Sequence, residues 1–388
     1  MSEHKAVPNI RFKGFEDKWK DTIIGKLVKV YDGVHQTPKY KNNGVPFVSV
    51  ENISNLYTNK FISKSDFENN FKNSKPTSGD LLMTRIGDVG TVNLVKNDND
   101  LAYYVSLALL KPKIKDRKKY INSYFLMYLI ESPRTKKELW KRTLHIAFPK
   151  KINKNEISKV NLCICLNWKE QQKIGNFFAK LDKLLDLQQQ KIDKLELLKK
   201  ALLQKLFPKY DAKIPELRFK GCDGEWEDCL VGNLLEVVPN KEYITEASKK
   251  GLNPVIQQGE KPILGFSNKA PYKEYKKVVL FGDHTVSLYK PESPFLIATD
   301  GIKILYVKDW NGHFLFAFLQ KYKPDSEGYK RHFSILKSKK AKFTIIDEEQ
   351  QKIGNLLSKV DQLIELENKK LQNFQQVKKC LLQNMFVE

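Results

Sequence analysis

The sequence predicts an α+β chain. Two globular modules with mixed, twisted β-sheet are separated by two long helices packed as an antiparallel coiled coil, and the whole is duplicated about a pseudo-twofold. Two internal repeats and one periodicity predict this. Residues 8–30 (PNIRFKGFEDKWKDTIIGKLVKV) return at 215–237 (PELRFKGCDGEWEDCLVGNLLEV), 207 positions later, and ten of the 23 pairs are identical. Arg11/Arg218, Phe12/Phe219, Gly14/Gly221 and Trp19/Trp226 are among them. Residues 169–207 return at 348–386, 179 positions later, with 18 of 39 pairs identical. Within that second repeat the apolar residues follow a 4-3 spacing, the mark of a coiled coil.

The opening segments, 8–30 and 215–237, start two modules whose remaining sequences, 31–168 and 238–347, show no comparable match. The expected domains are therefore 1–168 and 208–347, with helices at 169–207 and 348–388. The first module reads as short strands with Gly, Pro and Asn turns. A polar stretch carrying His35, Gln36, Thr37, Lys39 and Tyr40 precedes the strand VPFVSV. In SGDLLMTRIGDVGTVNLV two strand-like runs flank a tight loop with Arg85, Gly87, Asp88 and Gly90. No helix follows the glycines, so the loop is a hairpin and not a phosphate cradle. SYFLMYLIESPRTKKELWKR is helical, and the basic segment KRTLHIAFPKKINKNE follows it. In the second module Asp283 and His284 fall in a turn between strands. Asp300-Gly301 suits a type I′ hairpin, HFLFAFLQKY is helical, and Arg331 and His332 share a polar loop with Tyr329.

The first helical repeat places Ile174, Phe178, Leu181, Leu185, Ile192, Leu195, Leu202 and Leu206 on one seam. The second places Ile353, Leu357, Val360, Ile364, Leu371, Phe374, Leu381 and Met385 in the same register. Polar residues interrupt both seams at matching positions, Gln188/Glu367 and Lys199/Lys378. Asn167 with Glu170, and Asp347 with Gln350, are capping-box pairs, and Pro208 ends the first helix. Each helix spans about 37 residues, roughly 55 Å at the α-helical rise. Such lengths fit either an intramolecular coil or a cover for each module's own core. EQQKIGN in both copies, with Gln171, Gln172, Gln350 and Gln351, exceeds what a seam requires and suggests contact with something presented identically by both halves.

Composition narrows the partners. The net charge is +23, and most of the excess lies in the modules, above all the first. This favours a polyanion, although a general enrichment in lysine would produce the same excess, since only 7 of the 68 basic residues are arginine. Scarcity makes arginine placement informative. Arg85 and Arg331, in polar loops, are the best candidates for bidentate contact with guanine, whereas nearby lysines suit phosphates. The DNA-binding candidates are His35, Thr37, Lys39, Tyr40, Arg85, Arg142, Lys150, Lys151, His284, Lys330, Arg331 and His332. His284 with Asp283 or Asp300 could form an acid–base pair, but no nucleophile motif accompanies it. No Walker A, Asn-Pro-Pro-Tyr/Phe or HExxH motif occurs, and Glu16-Asp17-Lys18 lacks the leading Asp of a nuclease constellation. The five scattered cysteines form neither a disulfide framework nor a metal site, and Cys163 and Cys165 read as buried strand residues. No apolar run approaches the roughly 18 residues of a membrane helix, and the N-terminus lacks a signal-peptide core. A cytoplasmic chain with no membrane partner, no metal, no cofactor and no catalytic residues of its own is expected.

These repeats resemble the specificity subunit of type I restriction-modification enzymes. The likeness spans the chain. It rests on two divergent modules alternating with helices that open on (E)EQQKIGN and close on KK.LLQ..F, on the RFKG…W…G segments, and on HQTPKYKNNGVPFVSVENI, GDLLMTRIGDVG, VVLFGDHT, DGIKIL and YKRHF. The resemblance implies that each module is a target-recognition domain for one half of an asymmetric, bipartite duplex sequence, with the coil as a ruler for the unread spacer. It implies that two methyltransferase subunits dock on the repeated helices and that motor-nuclease (restriction) subunits join them. S-adenosylmethionine, ATP and Mg²⁺ would belong to those partners. A rigid separation of a few tens of Å would set the modules about one turn of DNA apart. The alternatives are a self-contained restriction or modification enzyme and a coiled-coil adaptor for proteins.

Overall fold

The computed structural model describes residues 7–115, 118–328 and 330–387. Arg117 and Tyr329 lie outside them. The chain folds as two units, Met1–Leu187 with Leu371–Glu388, and Gln188–Lys370. Both long helices, Trp168–Lys205 and Asp347–Asn384, therefore begin in one unit and end in the other.

The two units share three sheets of one topology despite their unmatched sequences, and the first adds the short pair Ile114–Lys115 with Lys118–Lys119. In the first, Val28–Asp32, Leu107–Pro112, Leu81–Thr84 and Val92–Leu94 form a four-stranded antiparallel sheet in that order. In the second, the same order is made by Glu236–Val238, Ile302–Tyr306, Val279–Gly282 and Leu288–Tyr289. Each unit adds a three-stranded sheet centred on Val45–Val48 or Asn253–Ile256, with one antiparallel and one parallel neighbour. Each also adds a pair that ties the opening segment to a late strand, Lys20–Ile23 with Asn161–Ile164 and Glu227–Leu230 with Lys340–Phe343.

The central strands are buried throughout because they lie between two cores. Successive side chains of a strand point to opposite faces. Leu81 and Met83 join the cluster of Trp19, Phe125 and Phe178, while Leu82 joins that of Phe47, Phe67 and Phe71. Val279 and Phe281 join Trp226, Phe207 and Phe314, while Leu280 joins Ile256, Phe295 and Ile304. The Asp300-Gly301 hairpin is not formed. The preceding strand Leu296–Ile297 pairs in parallel with Asn253–Ile256, and the following strand pairs elsewhere. Gly301 is absent from the left-handed glycines, which a type I′ turn requires.

The repeated segments build a matching frame in each unit. Arg11 donates to both carboxylate oxygens of Glu170, at 2.7 and 2.9 Å. Arg218 does the same to Glu349, at 2.8 and 3.0 Å. Each guanidinium also holds its own turn by donating to the carbonyl of Asp17, or of Gly224 and Asp223. Gly14 and Gly221 supply the left-handed φ of +87° and +83° in these turns, a conformation that costs glycine no Cβ clash. Trp19 packs edge-on against Phe125 and Phe386, and Trp226 edge-on against Phe207. Phe207 and Phe386 are repeat counterparts near the ends of the two helices. The backbone seals both sites alike: Ile10 N–H donates to Asn384 O at 2.8 Å and Leu217 N–H to Lys205 O at 2.9 Å.

The EQQKIGN turns close this frame from within the chain. Gln171 accepts from Asn122 N–H and donates to Cys165 O, both at 2.8 Å. Gln350 donates to Thr344 O at 2.7 Å. A Cβ on Gly175 would stand 2.8 Å from Phe125 N, and one on Gly354 would stand 2.6 Å from Phe314 N. Asn122 and Asn311 cap the helices Ser123–Glu131 and Gly312–Tyr322 by accepting from those same amides. The long helix thus crosses a capped helix end at a distance only glycine permits. Of the anticipated capping boxes the first is half made and the second does not form. Asn167 accepts from Lys169 and Glu170 N–H, but the Glu170 carboxylate is taken by Arg11. Asp347 lies inside its helix, and Thr344 Oγ accepts from Ile346 N–H instead.

The polar seam positions find one another. Gln188 donates to Glu367 at 2.6 Å, and these two residues are each other's repeat counterparts. Lys191 and its counterpart Lys370 also reach Glu367, at 2.9 and 3.0 Å. These donors hold the Glu367 carboxyl at about 2, far below its ordinary value. A depressed folded-state value stabilises the fold above the ordinary glutamate range, and that contribution is lost as the pH falls toward 2. Lys199 pairs with Asp361 at 2.6 Å in the second unit, and Lys378 with Asp182 at 2.7 Å in the first. Those two ion pairs are repeat-related.

Two substitutions check the frame. Arg11→Ala leaves the buried Glu170 carboxylate uncompensated and should cost about 3 kcal/mol in urea unfolding. Gly175→Ala or Gly354→Ala should cost about 1–3 kcal/mol through overpacking against the capped amide, read from the same unfolding curves.

Candidate nucleic-acid interface

Each unit carries its exposed polar side chains on loops around one backbone bracket. The residue after the central strand is Arg85 in the first unit and Asp283 in the second. Arg85 N–H donates to Ser106 O and its carbonyl accepts from Ile152 N–H, both at 2.9 Å. Asp283 N–H donates to Gly301 O at 2.9 Å, and its carbonyl accepts from His332 N–H at 2.8 Å. The bracket therefore clamps the end of a long loop, 143–151 in one unit and 323–331 in the other.

Arg85, expected to read a base, and His332, expected among the DNA contacts, turn inward instead. Both are buried, at 7% and 0% exposure. Arg85 Nε donates to Ile152 O at 3.1 Å and its Nη1 pairs with Asp32. Burial pulls its pKa below the usual arginine value. His332 Nδ1 lies 3.1 Å from Asp283 O while Nε2 accepts from Glu327 N–H at 3.1 Å. That pair of bonds fits a neutral ring protonated on Nδ1. Asp283 Oδ1 completes the anchor by accepting from Phe333 N–H at 2.8 Å. Desolvated groups so engaged support the loops from beneath.

The remaining candidates are more accessible. His35, Thr37, Lys39 and Tyr40 are exposed on the segment between Val28–Asp32 and Val45–Val48. Gly33 fixes its start, since a Cβ there would meet Tyr104 O at 2.4 Å. Tyr40 packs against Phe47 and lies under Lys60, 5.7 Å from its ring centroid. Lys150 and Lys151 are exposed on the first long loop, with Lys150 Nζ 4.8 Å over the ring of Trp140. Arg142 is half-buried and pairs with Glu156 at 3.3 Å. In the second unit Arg331 and Lys330 are exposed, the latter paired with Glu327 at 3.0 Å. His284 is half-buried in its turn, its N–H donating to Gln258 Oε1 at 3.0 Å. Sequence reasoning missed Trp140, in the helical stretch, and His145, Ile146 and Phe148, in the segment marked as basic. The signal of the last three is the run HIAF inside a lysine-rich stretch.

The helix positions proposed for partner docking divide in two. Gln171, Ile174, Phe178, Leu181, Ile192, Gln350, Ile353, Leu357 and Val360 are buried. They are unavailable to another subunit because the chain's own packing uses them. Leu185, Leu195, Ile364 and Leu371 are half-buried, whereas Gln172, Gln351 and Phe374 are exposed. Exposed apolar residues recur in register on the two helices: Leu184 and Leu363, Leu187 and Leu366, Leu198 and Val377. Among the described residues no cluster of His, Cys, Asp and Glu could hold a metal, and no helix is long and apolar enough to cross a membrane.

The bracket yields a stability test. Arg85→Ala should cost about 2 kcal/mol in thermal unfolding, because Asp32 and Ile152 O lose their donor, whereas exposed Arg331→Ala should leave the melting point unchanged.

Residues 16–197 match the family described as Type I restriction modification DNA specificity domain. Among solved structures, the chain is similar to the type I restriction-modification S subunit of M. genitalium. Identity is 15%, with 98% of this chain and 99% of that one covered and a TM-score of 0.70. It is also similar, at 14% identity and TM-score 0.52, to a chain from a study of complex assembly and conformational transition in a type I R-M system, over 94% and 96% of the two lengths. The family match thus covers the first module and most of the first long helix, and over nearly its whole length the chain has the fold of the M. genitalium S subunit.

Proposed function

We propose that this chain supplies DNA sequence specificity to a type I complex and performs no chemistry itself, each unit reading one half-site of an asymmetric, bipartite duplex. One observation carries the reading: two units sharing three sheets of one topology bear different exposed side chains on topologically equivalent loops. A shared scaffold with divergent loop surfaces is what two unlike half-sites require. The recognition domains are 1–168 and 208–347. In the first, His35, Thr37, Lys39, Tyr40, Arg142, Lys150 and Lys151 face the duplex, and in the second His284, Lys330 and Arg331 do so. Lysines neutralise phosphates, and Arg331 suits bidentate readout of guanine.

The helices 169–207 and 348–388 form the coiled coil that sets the spacer. Two methyltransferase subunits dock on the exposed apolar positions Leu184, Leu187 and Val377, and Leu363, Leu366 and Leu198, with Gln172 and Gln351 at the same helix starts. Burying such exposed leucines on a partner is favourable, at about 25 cal/mol per Å² of apolar surface. Restriction subunits join this assembly in the cytoplasm. S-adenosylmethionine, ATP and Mg²⁺ act on the partner subunits.

Three measurements test this. Duplex affinity of the assembled complex should fall steeply with rising salt, and salt-independent binding would favour a protein adaptor. Methylation mapping of Arg331→Ala should show one half-site relaxed by about 1–3 kcal/mol with the other intact. One heptad added to each helix should lengthen the unread spacer by about three base pairs, since seven residues rise ~10 Å and base pairs stack at ~3.4 Å. Loss of both half-sites in that variant would contradict the ruler.

A further inference from the structure

The loop 143–151 carries an apolar tip that the function above does not use. Ile146 and Phe148 are 99% and 104% exposed, the most exposed large apolar side chains among the described residues. The stem beneath them is stiff. Leu144 N–H donates to Lys151 O at 2.7 Å, Gly87 N–H to Lys150 O at 2.8 Å, and Ile152 N–H to the bracket carbonyl of Arg85 at 2.9 Å. His145 stacks on Trp140 with ring centroids 4.0 Å apart, and Lys150 covers Trp140 from the same loop. Two bare apolar side chains held on a braced stem are costly in water unless something covers them.

The surroundings say what does. Between residues 134 and 154 the chain has eight Lys and Arg and a single acid, Glu138. Of these, Arg134, Lys141, Arg142 and Lys154 are paired with Asp21, Glu138, Glu156 and Asp32, whereas Lys150 and Lys151 stand exposed on the loop itself. An apolar tip flanked by such lysines suits a stack of bases bordered by phosphates, where wedge residues unstack a base step. The equivalent loop of the second unit, 323–331, has no exposed large apolar residue among the described ones and carries Lys330 and Arg331.

Resting on the DNA-reading role above, we propose that the 143–151 loop is a prong. Ile146 and Phe148 enter the duplex at one half-site and lean on an unstacked base step, while Lys150 and Lys151 hold the adjoining phosphates. The other half-site is read without insertion.

The test uses the chain assembled with its methyltransferase subunits on the site defined by methylation mapping. 2-Aminopurine is placed at successive steps of each half-site, away from the methylated base. The wild type should show a severalfold fluorescence rise at one step of one half-site only. Ile146→Ser with Phe148→Ser should abolish that rise and weaken binding about tenfold to a hundredfold. Phe148→Trp, with Ile146 kept, should preserve the rise. Because both side chains are exposed, the variants should melt with the wild type. A double variant that binds and unstacks like wild type overturns the prong. So does one that binds DNA normally but loses a methyltransferase subunit, which would make the loop a protein contact. A wild-type complex with no sequence preference overturns the DNA-reading role itself, and the prong with it.

Discussion

The buried pairing of an arginine in each opening segment with a glutamate in the first turn of a long helix is the constraint on which the rest depends. Glu170 and Glu349 are each 1% exposed, and a carboxylate that deep needs a charged, geometrically matched partner. The bidentate guanidinium provides it and also ties the turn around Gly14 or Gly221. Around this point each unit gathers the opening segment, the start of one long helix and the tail of the other. Trp19 with Phe386 and Trp226 with Phe207 fill the space they enclose. Ile10 meets Asn384 in the first unit as Leu217 meets Lys205 in the second, through the same backbone bond.

On that frame the sheets are free to vary in sequence. A strand between two cores demands only apolar side chains on both faces, a condition met by LLMT at Leu81–Thr84 and by VLFG at Val279–Gly282. Many sequences satisfy it, so topology persists where identity does not. The bracket residue shows the same economy. Its N–H and carbonyl do the clamping, so Arg85 and Asp283, opposite in charge, serve one role. Their side chains then reinforce the clamp by different routes, Arg85 through Ile152 O and Asp32, Asp283 through Phe333 N–H. Divergence in sequence therefore leaves the sheet order and the clamp intact.

The long helices were legible because a heptad is a local signal: each seam position is set by its spacing to the next. The partners of the polar seam residues were not legible, since Gln188 with Glu367 and Lys199 with Asp361 lie far apart in sequence. EQQKIGN was expected to meet something presented identically by both halves, and in the fold its first turns meet parts of the chain itself. Those parts are the Arg11 or Arg218 frame and the capped helix ends at Asn122 and Asn311. Asn-x-x-Phe recurs there, in stretches otherwise unmatched. Arg85 and His332 were misread for a related reason. A polar residue in a polar loop looks solvated from its neighbours in sequence, and only the fold shows which side chains turn inward.

The sequence by itself determined the duplication, the two long helices with their register, the α+β class and the basic character of the modules. All of these are written in spacing and composition. Tertiary structure decided which polar side chains are anchors and which are free, that the two modules share one topology, and that Ile146 and Phe148 stand bare at a loop tip. Burial and hydrogen bonding between distant segments settle those matters, because desolvation depends on what surrounds a group in space and not on what adjoins it in the chain.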